Sequence, residues 1–156
     1  METDQTLKLE NQICFAIYAC SRELTKLYRP LLQEIGLTYT QYVTMIALWE
    51  KDQVTVSALG ARLYLDSGTL TPLLKKLEAA GFITRNRDKN DERNVVIALT
   101  EQGSLLREKA VDIPEKLLCQ LNASPEEGTL MLMQIQELMA RMQQRAPVEA
   151  NTEGDE

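Results

Sequence analysis

Leu9, Ile13, Ile17, Cys20, Leu24, Leu27 and Leu31 recur at steps of three and four, which predicts one long amphipathic helix from Leu7 to about Glu34. Pro30 should kink that helix or end it early, because proline lacks the N–H and crowds the preceding turn. Gly36 marks a break, and a second helix fits Thr40 to Lys51 with Tyr42, Met45, Ile46 and Trp49. Thr55 then caps a short helix that carries Val56, Leu59, Gly60 and Leu63 on one face. Asp66 or Ser67 opens the next one. Its stripe is Leu70, Leu73, Leu74 and Leu77, and Gly81 stops it.

After Gly81 the period drops to two. Phe82 to Arg87 reads as one strand, Val95, Ile97 and Leu99 mark a second, and a polar tip from Asp88 to Arg93 lies between them. Thr100 caps a further helix to about Leu121, with Pro114 as a point of disturbance. Ser124-Pro125-Glu126-Glu127 combines a capping box with a proline at the first helical position, and Met131, Ile135, Leu138 and Met142 follow. The acidic residues 146–156 are expected to stay disordered.

These elements predict a mainly α fold with a small β wing: a winged helix-turn-helix over residues 55–100. The helices of residues 1–54 and 101–145 flank it as a dimerisation region. A short helix, a turn, a second helix and a hairpin with a cationic tip suit double-stranded DNA. Ser67, Thr69, Thr71 and Pro72 keep the second helix slim enough for a major groove, and the hydroxyls bond donor or acceptor edges alike. Lys75 and Lys76 lie further along for phosphates, Arg85 and Arg87 sit on the first strand, and Arg93 at the wing suits a narrow minor groove. Lys75 and Lys76 read equally well as plain solvated charges.

The chain's net charge of −6 argues at first against a nucleic-acid partner. The distribution reverses that: residues 61–94 hold seven Lys/Arg against five Asp/Glu, so the acidity lies elsewhere. No window is apolar enough to cross a bilayer and the N-terminus lacks a secretory pattern, so a cytoplasmic protein is expected. Three cysteines make no disulfide framework, and without histidine neither a metal site nor a cofactor is expected.

The run LGARLYLDSGTLTPLLKKLEAAGFITRNRDKNDERNVVIALTEQG resembles the core of the MarR family of dimeric repressors, and the resemblance covers about residues 7–145. Asp91-Glu92-Arg93 matches that family's wing motif, in which the Asp orients the Arg for the minor groove. Within the family, LENQICFAIYACSRELTKLYRPLL, LTYTQY and LYLDSGTLTP look like the organic hydroperoxide resistance regulators of the two-cysteine type.

That resemblance implies a homodimeric repressor that leaves its operator when an organic hydroperoxide oxidises Cys14. Tyr28 and Tyr39 of the partner subunit would bond the reactive cysteine, with Tyr18 near it. Cys119 matches the resolving cysteine, so an intersubunit Cys14–Cys119 disulfide is expected, with Cys20 in the core. On residues alone the matter is open. A lone cysteine on an apolar face is ordinarily a small buried hydrophobe, and tyrosines at these spacings serve core packing as readily. With the helix starting at Leu7, Cys14 lies about two turns in, where the helix dipole gives it little help. Tyr28, fourteen residues along, is about 21 Å away, so only a partner chain brings the two together. Two competing readings are a MarR-type repressor released by a small aromatic ligand and a thiol peroxidase carrying a DNA-binding module.

Overall fold

A computed structural model describes residues 3–88, 91 and 93–144; the expected acidic tail and part of the hairpin tip lie outside these. The elements are α1 (Thr3–Thr6), a 3-10 turn (Leu9–Asn11), α2 (Ile13–Gln33), α3 (Tyr39–Glu50), β1 (Val54–Thr55), α4 (Val56–Leu63), α5 (Ser67–Ala79), β2 (Ile83–Arg87), β3 (Val95–Leu99), α6 (Glu101–Ala110), α7 (Ile113–Gln120) and α8 (Pro125–Gln143). The chain divides into two compact units, residues 1–117 and residues from Leu118 onward.

The expected mainly α fold with a β wing is present, and three features differ from the sequence reading. The first helix starts at Ile13, not Leu7. Leu9 keeps the spacing of the stripe but belongs to the separate 3-10 turn, because Gln12 adopts an extended backbone (φ −93°, ψ 110°) that interrupts the helix. The far end of α2, at Gln33, agrees with the expected bound near Glu34, and Pro30 lies inside the helix without ending it. The helix expected from Thr100 to Leu121 is two helices, broken at Val111 and Asp112, so that Pro114 sits in the first turn of α7, where its missing N–H costs nothing. The hairpin gains a third strand, giving the antiparallel order β1-β3-β2, with Val54 opposite Ile97 and Arg85 opposite Ile97 on the other side. Two residues are too few for β1 to show a period.

The core of the first unit is built from the stripes already legible in sequence. Leu32 of α2, Met45 and Leu48 of α3, Leu59 of α4, Leu70, Leu74 and Leu77 of α5, and Ile83 and Ile97 of the sheet are all fully buried. Each such side chain contributes about 1.5–3 kcal/mol of transfer free energy. The buried Thr44 hydroxyl donates to the carbonyl of Thr40 at 2.7 Å, and the Trp49 indole N–H donates to the Gly103 carbonyl at 2.9 Å. In the second unit, Ala123 N–H bonds back to the Leu118 carbonyl. A capping box between Ser124 and Glu127 then starts α8.

Candidate functional site

The helix-turn-helix is set by caps. The Thr55 hydroxyl accepts the Ala58 N–H at 3.1 Å and starts α4. A side chain at Gly60 would meet the Leu65 carbonyl oxygen at 2.9 Å, so only glycine lets the end of α4 approach the turn this closely. Asp66 caps α5: one carboxylate oxygen accepts the Thr69 N–H at 2.8 Å and the other accepts the Thr69 hydroxyl at 3.1 Å. These bonds favour the ionised form and hold the Asp66 carboxyl below its usual range. The Thr69 hydroxyl proton is therefore committed to the cap, which leaves its oxygen as an acceptor.

Buried Leu70, Leu73, Leu74 and Leu77 turn the opposite face of α5 outward, and Ser67, Thr69, Pro72, Lys75 and Lys76 are exposed there, with Thr71 partly so. Ser67 and Thr71 line a groove of about 450 Å³ whose other wall includes Arg85, Arg93 and Asn94, so recognition helix and wing share one concave surface. Arg87 is exposed at the end of β2. Arg85 points inward: it lies 4.0 Å from Glu78, and its Nε is buried with no hydrogen-bond partner.

At the wing, Asp91 holds Arg93 in a defined pose. Its Oδ1 accepts both the Arg93 backbone N–H and Nε at 3.1 Å, and its Oδ2 accepts an Arg93 terminal nitrogen at 3.4 Å. The Arg93 side chain is nonetheless 90% exposed. The guanidinium beside it, with the Arg93 backbone N–H second, keeps the Asp91 carboxyl below its ordinary range. Asn94 closes the turn through its N–H to the Asp91 carbonyl, and Asp88 N–H bonds the Asn94 carbonyl, both at 2.9 Å.

Cys14 is exposed and lies in the first turn of α2, not two turns in. Gln12 gives the helix no side-chain cap; its amide instead donates to the Thr6 and Lys8 carbonyls, at 2.6 and 3.1 Å. The first-turn N–H groups of α2 are thus left without a side-chain cap. Cys20, expected in the core, is exposed, on the stretch of α2 where Ile13, Phe15, Ile17 and Tyr18 are exposed as well. Cys119 is exposed on α7.

The tyrosines form two groups. Tyr18 stays on the α2 surface, where Arg22 donates to its hydroxyl at 3.2 Å. Tyr28 and Tyr39 are brought together by the turn from α2 to α3, ring centroids 5.0 Å apart. Tyr42, which sequence reasoning left in the core stripe, stands 5.8 Å from Tyr28 as a third member. Its position one turn after Tyr39 was the available signal. Burial first, then the neighbouring Tyr42 and Tyr39, pushes the Tyr28 hydroxyl up to about 12, so at neutral pH it keeps its proton. No helix among the described residues is long and apolar enough to cross a membrane, and no cluster of metal-ligating side chains occurs among them.

A family model for the SarA/Rot transcriptional regulators matches residues 26–110. The chain is 58% identical over 112 residues to the organic hydroperoxide resistance transcriptional regulator of Bacillus subtilis (strain 168), spanning 72% of this chain and 76% of that one. The fold matches reduced AbfR bound to DNA at 30% identity and a TM-score of 0.72, over 90% of this chain and 99% of that one. It matches disulfide-formed AbfR at 31% identity and a TM-score of 0.61, over 92% and 98%.

Proposed function

Because the chain belongs to the SarA/Rot family of transcriptional regulators, MarR-like winged-helix proteins, we propose that it is a cytoplasmic, homodimeric repressor of double-stranded operator DNA, released by organic hydroperoxides through Cys14. The observation that carries the reading is the pairing of two features. A concave head joins a hydroxyl-bearing helix start to a carboxylate-held arginine, and an exposed cysteine sits in an uncapped first helical turn. Ser67 and Thr71 face base edges, Lys75, Lys76 and Arg87 neutralise phosphates, and Asp91 pre-orients Arg93 for the minor groove. Arg85, half-buried against Glu78, braces the wing against α5.

The Cys14 thiolate attacks the terminal oxygen of the hydroperoxide. An S–O bond forms, the O–O bond breaks, and the departing alkoxide takes a proton to leave as the alcohol. Tyr28 and Tyr39 of the partner subunit donate to the sulfur, with Tyr18 beside it. The sulfenic acid then condenses with the partner's Cys119 thiol, losing water and forming the disulfide. The relatives' names fit this sequence: one is a hydroperoxide resistance regulator, and AbfR is described both reduced on DNA and disulfide-formed. A covalent tie between the dimer's helices changes the spacing of the two heads and with it the fit to two half-sites.

The test is DNA release measured by fluorescence anisotropy with wild type and Cys14→Ser. Organic hydroperoxide should weaken wild-type binding by about a hundredfold or more, equivalent to at least about 2.7 kcal/mol, and leave Cys14→Ser bound. Release of the variant overturns the reading.

A further inference from the structure

Thr69 is exposed in the first turn of α5, and its hydroxyl proton already has a partner. The hydroxyl donates to one Asp66 carboxylate oxygen at 3.1 Å, while the other oxygen accepts the Thr69 backbone N–H at 2.8 Å. An ionised carboxylate has no proton to give back, so the direction of the hydroxyl bond is fixed. The same two bonds, the N–H first and the hydroxyl second, hold the Asp66 carboxyl below its ordinary range, and it stays ionised at neutral pH. The two side chains therefore present only acceptors to the outside: the remaining lone pairs of the Thr69 Oγ1 and those of the carboxylate. Glycine between them keeps that edge uncovered, since a Cβ at Gly68 would stand 3.0 Å from an Asp66 oxygen. Capping α5 takes only the backbone bond. The hydroxyl bond does something else, which is to give Thr69 a polarity.

We propose that Thr69, polarised by Asp66, is a one-way reader of the major groove: its oxygen accepts from the exocyclic amino group of an adenine or cytosine and rejects the keto oxygen of a guanine or thymine. The proposal rests on the DNA-binding reading, in which the N-terminal residues of α5 meet base edges. Adenine N6 and cytosine N4 are the amino donors of the major groove, whereas guanine O6 and thymine O4 are acceptors that would face another acceptor. A free hydroxyl turns to suit either kind and tells them apart poorly. Every base pair shows one amino and one keto base in that groove. The contact therefore fixes which strand carries which, rather than choosing A·T over G·C.

Thr69→Val and Asp66→Asn test it. Both leave an oxygen at position 66 to cap α5, and Asn ranks with Asp as a cap, so both should melt close to wild type. In Asp66→Asn an amide nitrogen replaces the second oxygen and donates to the Thr69 Oγ1, which frees the hydroxyl proton to point outward. The probe is a duplex selected from random sequence by the wild-type protein, titrated with all four base pairs at each position. Wild type should prefer an amino base to a keto base on one strand, at one position of each half-site, by about tenfold. Thr69→Val should flatten that position to within about threefold and leave the others as they are. Asp66→Asn should level or invert it; its lost charge changes the affinity for every duplex alike and cancels in the comparison. The proposal is overturned if Thr69→Val flattens no position, or if the position it flattens carries a keto preference in wild type. A folded Asp66→Asn that keeps the wild-type preference there also overturns it, and Thr69→Val decides alone if that variant does not fold. If wild type binds nothing in the random pool, it is the DNA-binding reading itself that fails.

Discussion

The head from Thr55 to Thr100 and the first half of α2 use apolar residues in opposite ways. In the head, Leu59, Leu70, Leu74, Leu77, Ile83 and Ile97 are all buried, and Tyr64 is the one large hydrophobic side chain exposed among its described residues. In the first half of α2, Ile13, Phe15, Ile17 and Tyr18 are exposed side by side, and α8 likewise exposes Leu130, Met131, Leu132, Met133 and Ile135. Patches of that extent signify an interface. The head buries its large aliphatic side chains together with those of α2 and α3, whereas the first half of α2 and the α8 face leave theirs exposed in the single chain.

The largest effect that would break this comparison is in the head. Leu74→Ala empties a site that is 1% exposed, and should cost about 2–5 kcal/mol by chemical denaturation, whatever the protein concentration. Ile135→Asp, on the open face of α8, should act differently. It should shift sedimentation from dimer to monomer and lower the melting temperature in a concentration-dependent way, by roughly 2 kcal/mol of association. Equal behaviour of the two variants would erase the distinction between a closed and an open core.

Within the head, Arg93→Ala should weaken DNA binding by about tenfold while changing stability by less than about 0.5 kcal/mol, because the side chain is exposed. Asp91→Ala should lose less, about threefold, since it frees Arg93 without removing it. A larger loss for Asp91→Ala than for Arg93→Ala would contradict that assignment of roles.

The smallest effect is on pH. An unfolded tyrosine titrates near 10, and burial moves Tyr28 up to about 12, so between these values the folded chain holds a proton that the unfolded chain has lost. Stability should fall as pH rises through that window, and Tyr28→Phe should flatten the fall in denaturation curves. An unchanged slope would show that the Tyr28 environment is not formed in solution.

The same contrast explains what could be read from sequence. Thr55, Asp66, Thr100 and Ser124 were legible as caps because the physics is local: one oxygen facing an N–H three residues on. The change of period from helix to hairpin was equally plain. The start of α2 was not, because Leu9 continues the spacing of Ile13 and Ile17 although Gln12 breaks the backbone between them. That one boundary moved Cys14 into the first turn. The contact of Tyr28 with Tyr39 and Tyr42 was hidden for another reason: it depends on how α3 folds back on α2, which neither period nor cap encodes. The wing arginine was legible as a charge and its orientation by Asp91 through the resemblance, but that both carboxylate oxygens hold it is a matter of geometry.

The most direct test of the central claim is a titration of the reduced, DNA-bound protein with an organic hydroperoxide. DNA release is followed by anisotropy, and the state of each cysteine by mass spectrometry. Release should be complete at about one equivalent per chain and track loss of the Cys14 thiol, with Cys14–Cys119 peptides joined between subunits. Release while Cys14 remains a thiol, or full oxidation of Cys14 with the DNA still held, would contradict it.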